Sequence, residues 1–179
     1  SVPVYANTTA APYPGDAAEI KKLLGFQLAN QVRFVEIIEK MYFPFEVNKD
    51  AVVEKVWRIG GENGWYFGTK LWKIRGLLDQ LIGGIGFRKG RISATELKKG
   101  DPIDFWKVCQ ADKREGILEL EAEMNLPGKV FLEWKISSNE LIQTVRFYPE
   151  GKWGRYYWKI VKPVHRWIFR NMGKEIAKG

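Results

Sequence analysis

The sequence contains one cysteine, Cys109, and one histidine, His165, among 179 residues. A single cysteine excludes an internal disulfide, and one cysteine with one histidine is too few for a Cys/His zinc site. We therefore expect no metal centre, and a reducing cytoplasmic compartment fits this composition. No apolar run approaches the roughly 20 residues that a membrane-spanning helix requires.

Aromatic side chains, in contrast, are abundant: they make up 14% of the residues and include eight Trp. With a hydrophobic share of 45%, this content excludes a disordered chain and predicts a substantial core. The net charge is +8, and most of it lies from Arg146 onward, where nine Lys and Arg accompany two Glu. This asymmetry favours either a solvated cationic helix face or a partner with acidic groups.

We expect an N-terminal arm and helix, residues 1–32, followed by a main domain, residues 33–179. Residues 2–15 are uncharged and rich in Pro, Thr and Ala, which is typical of an arm. Asp16 then caps a predicted helix that runs to about Gln31.

Two short helices are predicted early in the main domain. Either Asn48 or Asp50 caps the first, over residues 51–59, and the glycines that follow end it. Thr69 caps the second helix. An apolar stripe of the kind that usually faces a core is formed there by Leu71, Ile74, Leu78 and Leu81. Asp79 is expected to point elsewhere.

Three later segments alternate apolar and polar residues with a period of two, which predicts an antiparallel meander. They span residues 117–124, 130–136 and 141–147, and an earlier strand is predicted over residues 33–47. Matching apolar residues across the first turn places Leu120 opposite Trp134. Glu119 then lies beside Lys135 on the outer face.

The last segment, residues 153–176, supplies a cover for this sheet. Its apolar residues, from Trp153 through Ile160 and Val164 to Met172, fall in one helical stripe, and Pro163 is expected to kink or divide the helix. The resulting fold is α+β, with a curved antiparallel sheet wrapped around a long C-terminal helix in the helix-grip arrangement. We expect a cavity of roughly several hundred Å³ between helix and sheet.

The glycine-rich stretches do not match nucleotide-binding loops. In "GGIGFRKG", Lys89 stands where the dinucleotide fingerprint needs its third glycine, and residues 68–70 reverse the order of a Walker loop. No Gly-x-Ser-x-Gly nucleophile elbow is present. Among the carboxylates, the better candidates for a functional role lie near loops: Glu62, Asp101 and Asp104.

The candidate ligand-binding residues are those expected to border the cavity: Trp65, Trp72, Trp134, Gln143, Trp158, His165 and Phe169. Gln143 lies by period on an otherwise apolar face, where an unbonded amide costs about 1–3 kcal/mol. It therefore either bonds within the fold or contacts a ligand. His165 is likewise either a structural histidine or a polar group of the cavity. No catalytic constellation is evident.

Several long motifs, among them "RIGGENGWYFGTKLWKIRG", "LEAEMNLPGKVFLEW" and "LIQTVRFYPEGKWGRYYW", resemble the family called domain of unknown function 2867. The resemblance spans about Val47 to Ile176. It implies a Bet v 1-like, START-related (SRPBCC) domain, which in many relatives follows a Rossmann NAD(P)-binding domain of the atypical short-chain dehydrogenase or epimerase kind. This chain has no dinucleotide-binding half, so NAD(P) is expected only through another domain or partner.

The leading interpretation is a domain that binds a small hydrophobic or amphipathic ligand, alone or as an accessory to an NAD(P)-dependent oxidoreductase. A cyclase or hydratase of the same superfamily is an alternative, with His165 and a loop carboxylate as acid and base. A third interpretation is a basic surface for an anionic membrane or nucleic acid. Because its aromatics are expected to pack on the sheet, nucleic acid is not an expected partner.

Overall fold

The computed structural model describes residues 16–22, 37–81, 83–86 and 90–179. The chain divides into two compact units, Ser1–Ile37 and Ile38–Gly179. In the first unit, residues 17–22 are helical and form α1. Oδ2 of Asp16 accepts a 3.0 Å hydrogen bond from the backbone N–H of Glu19, which is the cap that the sequence predicts. The remainder of the predicted arm and helix lies outside the described residues.

From Ile37 onward the chain forms one six-stranded sheet and three helices. The strands are β1 (Ile37–Pro44), β2 (Pro102–Ile103), β3 (Trp106–Asp112), β4 (Ile117–Ala122), β5 (Gly128–Ile136) and β6 (Glu140–Pro149). The helices are α2 (Lys49–Trp57), α3 (Thr69–Leu81) and α4 (Gly151–Ile176). The strand order is β1-β6-β5-β4-β3-β2, and β2 to β6 pair antiparallel in succession. This curved sheet with its long C-terminal helix confirms the helix-grip prediction.

The helix ends follow the predicted signals with two differences. Oδ1 of Asn48 accepts a hydrogen bond from the backbone N–H of Asp50 and thereby caps α2. Thr69 starts α3, but its hydroxyl accepts a hydrogen bond from the backbone N–H of Trp65 and so ties the helix to the preceding loop. Helix α4 runs unbroken through Pro163, so the prediction of a divided helix is wrong.

The predicted pairing of β4 with β5 is wrong by two residues. Leu120 lies opposite Leu132 rather than Trp134, and Glu119 lies opposite Glu133. A shift of two keeps every side chain on its expected face. The two facing carboxylates are compatible because Arg146, on β6, forms ion pairs with both of them.

Helix α3 buries a different face from the one predicted. The leucine-rich stripe is exposed, and the face that packs on the fold consists of Trp72, Gly76 and Asp79. Asp79 is buried because its carboxylate accepts hydrogen bonds from the backbone N–H groups of Gly86, at 2.9 Å, and Asn125, at 2.8 Å. These bonds hold the C-terminal end of α3 against the β4–β5 turn.

Helix α4 covers the inner face of the sheet. The ring of Trp158, on α4, stacks on Phe147 of β6, and the two ring centroids are 4.9 Å apart. Gly173 permits close packing, since a Cβ there would lie 2.2 Å from Phe43. The predicted stripe is only partly right, because three of its members are exposed: Trp153, Ile160 and Val164. Two predicted members, Ile168 and Met172, are buried, and the core-facing side of α4 is completed by Trp158, Phe169 and Ile176.

Candidate functional site

An aromatic pocket lies between α3, α4 and strands β3 to β5. Its lining consists of Trp72, Arg75, Phe105, Trp106, Ala122, Met124, Leu126, Val130, Tyr157, Trp158, His165 and Phe169. The cavity measures about 30 Å³, which is room for one or two water molecules. The expected volume of several hundred Å³ is therefore wrong for this conformation. Side chains fill most of the space, and Trp72 of α3 is the largest contributor from outside the sheet and α4.

Trp72 lies at the centre of this pocket. Its ring centroid is 5.5 Å from Phe105, 5.6 Å from Phe169 and 6.1 Å from His165. The rings are tilted or edge-on rather than parallel, which are the favourable geometries for aromatic pairs. Trp158 closes the far side, 6.0 Å from His165.

Three indole N–H groups of the pocket lack a hydrogen-bond partner among the described residues. They belong to Trp72, Trp106 and Trp158, each at least 96% buried. A buried donor without an acceptor costs about 1–3 kcal/mol, and native proteins contain few of them. All three tryptophans belong to the lining of one cavity.

Two other buried tryptophans, in contrast, have hydrogen-bond partners for their indole N–H groups. The indole of Trp65 donates to Oδ2 of Asp104 at 2.8 Å, and the indole of Trp134 donates to Oε1 of Gln143 at 2.9 Å. The amide nitrogen of Gln143 in turn donates to the backbone carbonyl of Phe169 at 2.9 Å and links the sheet to α4. Trp65, Trp134 and Gln143 do not line the pocket, because each is bonded within the fold.

The fold lowers the pKa of His165. Burial is the main cause that lowers its pKa, and the positive charge of Arg75 lowers it further. Its Nδ1 lies 3.0 Å from the carbonyl oxygen of Val161, so Nδ1 carries the hydrogen and Nε2 is left as an acceptor. No described Asp or Glu lines the pocket, so the acid–base pair of the cyclase alternative is not assembled there.

Four of the seven candidate residues thus come together in the pocket: Trp72, Trp158, His165 and Phe169. Sequence reasoning missed Arg75, Phe105 and Trp106. Arg75 follows Trp72 by three residues and so lies on a neighbouring face of α3, a signal that was available. Phe105 lies in the turn before β3 and Trp106 is the first residue of β3, and only the tertiary fold brings them to the helices.

A second, larger cavity of about 620 Å³ lies beside the glycine-rich loop, and Asp104 is part of its lining. Asp104 is 1% exposed and has φ +54°, a left-handed conformation that Asp tolerates better than most residues. Desolvation raises the pKa of its carboxyl, against hydrogen bonds from Trp65 and Gly61. A Cβ at Gly60 would lie 2.3 Å from Ile103, so glycine is required where this loop packs on β2, directly before Asp104.

Residues 16–22, 37–81, 83–86 and 90–179 contain no group of three His, Cys, Asp or Glu side chains arranged to hold a metal ion. None of the helices in the same ranges combines the length and the apolar character needed to cross a bilayer.

Solved structures of similar architecture share little sequence with this chain. The Zhui aromatase/cyclase from Streptomyces sp. R1128 is 11% identical at a TM-score of 0.42, covering 79% of this chain and 93% of that one. Norcoclaurine synthase from Thalictrum flavum is 16% identical at a TM-score of 0.45, with coverage of 84% and 89%. Ara h 8.0201 is 13% identical at a TM-score of 0.40, with coverage of 79% and 97%.

No curated protein matches the sequence. Residues 32–172 match the family described as "Protein of unknown function (DUF2867)". This match spans most of the chain and includes β1 to β6, α2, α3 and most of α4. The chain therefore belongs to the DUF2867 family.

Proposed function

We propose that this protein binds a small planar aromatic molecule that carries oxygen acceptors, in the pocket between α3, α4 and the sheet. The observation that carries the proposal is the set of unpartnered indole N–H groups of Trp72, Trp106 and Trp158. A ligand oxygen that accepts from one of these groups removes a desolvation cost already present in the fold. The surrounding rings supply apolar contact area to the rest of the molecule.

The charges of the lining narrow the ligand class. Arg75 lines the pocket, whereas no described carboxylate does, so a negative or strongly polar oxygen is favoured over an ammonium group. Neutral His165 adds one acceptor, Nε2, which suits a hydroxyl on the same ligand. Aromatic carboxylates and phenols combine these features.

Binding requires that α3 move, because about 30 Å³ cannot hold an aromatic ring. Withdrawal of Trp72 with its helix would open the space that its ring occupies. Few buried residues hold α3, namely Trp72, Gly76 and Asp79, and glycines with positive φ flank it at Gly68 and Gly83. Such glycines are suited to absorb the backbone change of a hinge.

The direct test compares two ligands of the same shape, 2-naphthoate and naphthalene. We expect 2-naphthoate to quench the tryptophan fluorescence saturably and to bind at least about tenfold more tightly, since a charge-assisted hydrogen bond is worth roughly 1.5–3 kcal/mol. Trp158→Phe, which keeps a ring and removes the N–H, should weaken 2-naphthoate binding by a similar factor. Trp134→Phe is the matched control, because its indole lies outside the lining.

Equal affinities for the two ligands, or an unchanged affinity in Trp158→Phe, would overturn the proposal. Native mass spectrometry of freshly purified protein provides an independent readout, in which a retained aromatic acid or phenol is expected. A role as accessory to an NAD(P)-dependent dehydrogenase stays a prediction from the resemblance. Co-purification with a Rossmann-type protein tests it.

A further inference from the structure

Helix α4 has a second apolar stripe, directed away from the sheet. It consists of Trp153, Tyr156, Ile160, Val164 and Trp167, which are between 53% and 78% exposed. Spacings of three, four, four and three residues place all five on one side of the helix. The stripe is therefore a continuous surface about four turns long, separate from the pocket-facing side of the same helix.

Helix α3 extends this apolar surface. Its exposed residues include Leu71, Ile74, Leu77, Leu78 and Leu81. Phe67, two residues before α3, makes an edge-on contact with Trp167 of α4 at 4.9 Å between centroids. Phe67 thereby joins the segment that leads into α3 to the α4 stripe at Trp167. Monomeric soluble proteins seldom expose large contiguous apolar patches without a binding role.

Cations accompany the stripe. Helix α4 carries seven Lys and Arg between residues 151 and 174 and no Asp or Glu. Lys162 pairs with Glu39 at 3.3 Å. The other six are exposed and form no ion pair with another described residue: Lys152, Arg155, Lys159, Arg166, Arg170 and Lys174. Their spacing places them on a face adjacent to the apolar stripe.

We propose that the outer faces of α4 and α3 dock on the surface of an anionic lipid bilayer. Trp and aliphatic side chains would enter the headgroup and acyl boundary while the cations contact lipid phosphates and carboxylates. Each Lys or Arg near such a surface contributes about 1 kcal/mol, roughly fivefold in affinity. Ile160, Val164 and the leucines of α3 favour a lipid surface over single-stranded nucleic acid, since proteins bind single strands chiefly through stacking aromatic rings and cations.

The first experiment is co-sedimentation with vesicles of phosphatidylcholine, with and without phosphatidylserine. We expect binding to the phosphatidylserine vesicles that weakens as salt is raised, and little binding to phosphatidylcholine alone. An oligonucleotide of random sequence is run in parallel under the same salt conditions and is expected not to bind.

Paired variants distinguish an effect of this surface on vesicle binding from an effect of the net charge of the protein. Arg155→Glu with Lys159→Glu should lower vesicle affinity by at least about tenfold. The control, Lys107→Glu with Lys135→Glu, makes the same change in charge on the outer face of the sheet and should have a much smaller effect. Equal losses in the two pairs would show a non-specific charge effect and overturn the proposal.

A second pair of variants tests the apolar stripe of α4. Tyr156→Ser removes a stripe residue whose one aromatic neighbour within the described residues is Trp153, at 6.4 Å between centroids. Tyr148→Ser removes a half-exposed tyrosine on the outer side of β6, next to Phe131. We expect Tyr156→Ser to weaken vesicle binding several-fold and Tyr148→Ser to leave it unchanged.

Two other results would overturn the proposal. One is sedimentation as a dimer whose dissociation is promoted by Tyr156→Ser, since the stripe would then be an interface between copies of the chain. The other is binding of the oligonucleotide without binding of the vesicles. Both are distinguishable from failure of ligand binding, because the pocket and this surface use different sides of α4.

Discussion

The indole nitrogen of Trp134 lies 2.9 Å from Oε1 of Gln143, while the equally buried indole nitrogen of Trp158 has no partner among the residues described. The first contact belongs to a chain of hydrogen bonds that joins β5, β6 and α4. Trp158 itself lines the aromatic pocket. Two tryptophans of one core therefore differ in their environment: one indole N–H is bonded within the fold, and the other has no partner among the described residues.

Trp134→Phe and Trp158→Phe remove similar side-chain volumes but differ in their effect on buried polar groups. The first leaves Oε1 of Gln143 buried and unbonded, and the second removes a donor that is already unbonded. We expect Trp134→Phe to lower the free energy of unfolding by about 1–3 kcal/mol more than Trp158→Phe. Urea unfolding of the two variants measures this difference, and equal losses would contradict it.

Asp104 gives a second stability test, because its carboxylate accepts hydrogen bonds from Trp65 and Gly61. Asp104→Asn keeps an acceptor oxygen and tolerates the left-handed backbone, so its free energy of unfolding should stay close to that of the wild type. Asp104→Ala leaves both donors without an acceptor and strains the backbone. We expect it to cost at least about 1–3 kcal/mol more than Asp104→Asn in urea unfolding.

The same carboxyl predicts a pH dependence with a defined sign. Desolvation raises the pKa of Asp104 in the fold, whereas the unfolded chain ionises near 3.8. Above pH 3.8 the folded state therefore binds more protons, and its stability falls as pH rises through the raised pKa. Subtracting the unfolding curve of Asp104→Asn from that of the wild type should show this fall. A flat difference would exclude it.

His165 predicts the opposite slope. Burial is the largest cause and lowers its pKa, the hydrogen bond to the Val161 carbonyl raises it, Arg75 lowers it and Glu39 raises it; the net shift is downward, so the folded state resists protonation. As pH falls below the ordinary value of 6.5, the unfolded chain takes up the proton and stability is lost. His165→Gln should remove this loss in acid unfolding curves. Because His165 is the only histidine, the difference from wild type isolates its contribution.

The sheet and the last helix were predictable because their signals are local. Alternation with a period of two marks β4, β5 and β6, and a long amphipathic segment marks α4. Strand register was not predictable by the same means. The pairing of Glu119 with Glu133 depends on Arg146 from a third strand, and matching apolar neighbours cannot detect such a bridge.

The candidate site was predictable where helices carry it. Trp158, His165 and Phe169 share one side of α4, so helical spacing brings them together. Gln143 and Trp65 were predicted to border the cavity, but both are bonded within the fold, to Phe169 and Asp104, which are distant in sequence. The orientation of α3 was missed for a related reason, since its buried side is set by hydrogen bonds to a carboxylate rather than by leucines.

Asp79 is expected to control the opening of the pocket. Its carboxylate bonds the backbone N–H groups of Gly86 and Asn125 and so holds the helix that carries Trp72. Asp79→Ala should weaken this hold and expose α3 amides to faster hydrogen exchange, while the sheet amides keep their protection. Because Trp72 then leaves the pocket more readily, we expect 2-naphthoate to associate several-fold faster in stopped-flow fluorescence.

Asp101→Ala is the matched control for Asp79→Ala. It also removes a carboxylate that accepts a backbone hydrogen bond, from Lys98 at 2.8 Å, but it lies in a loop away from α3. This variant should leave both the exchange of α3 and the association rate unchanged. Faster association in both variants would indicate general loosening of the fold. An unchanged rate in Asp79→Ala, with α3 exchange accelerated, would show that α3 does not gate the pocket.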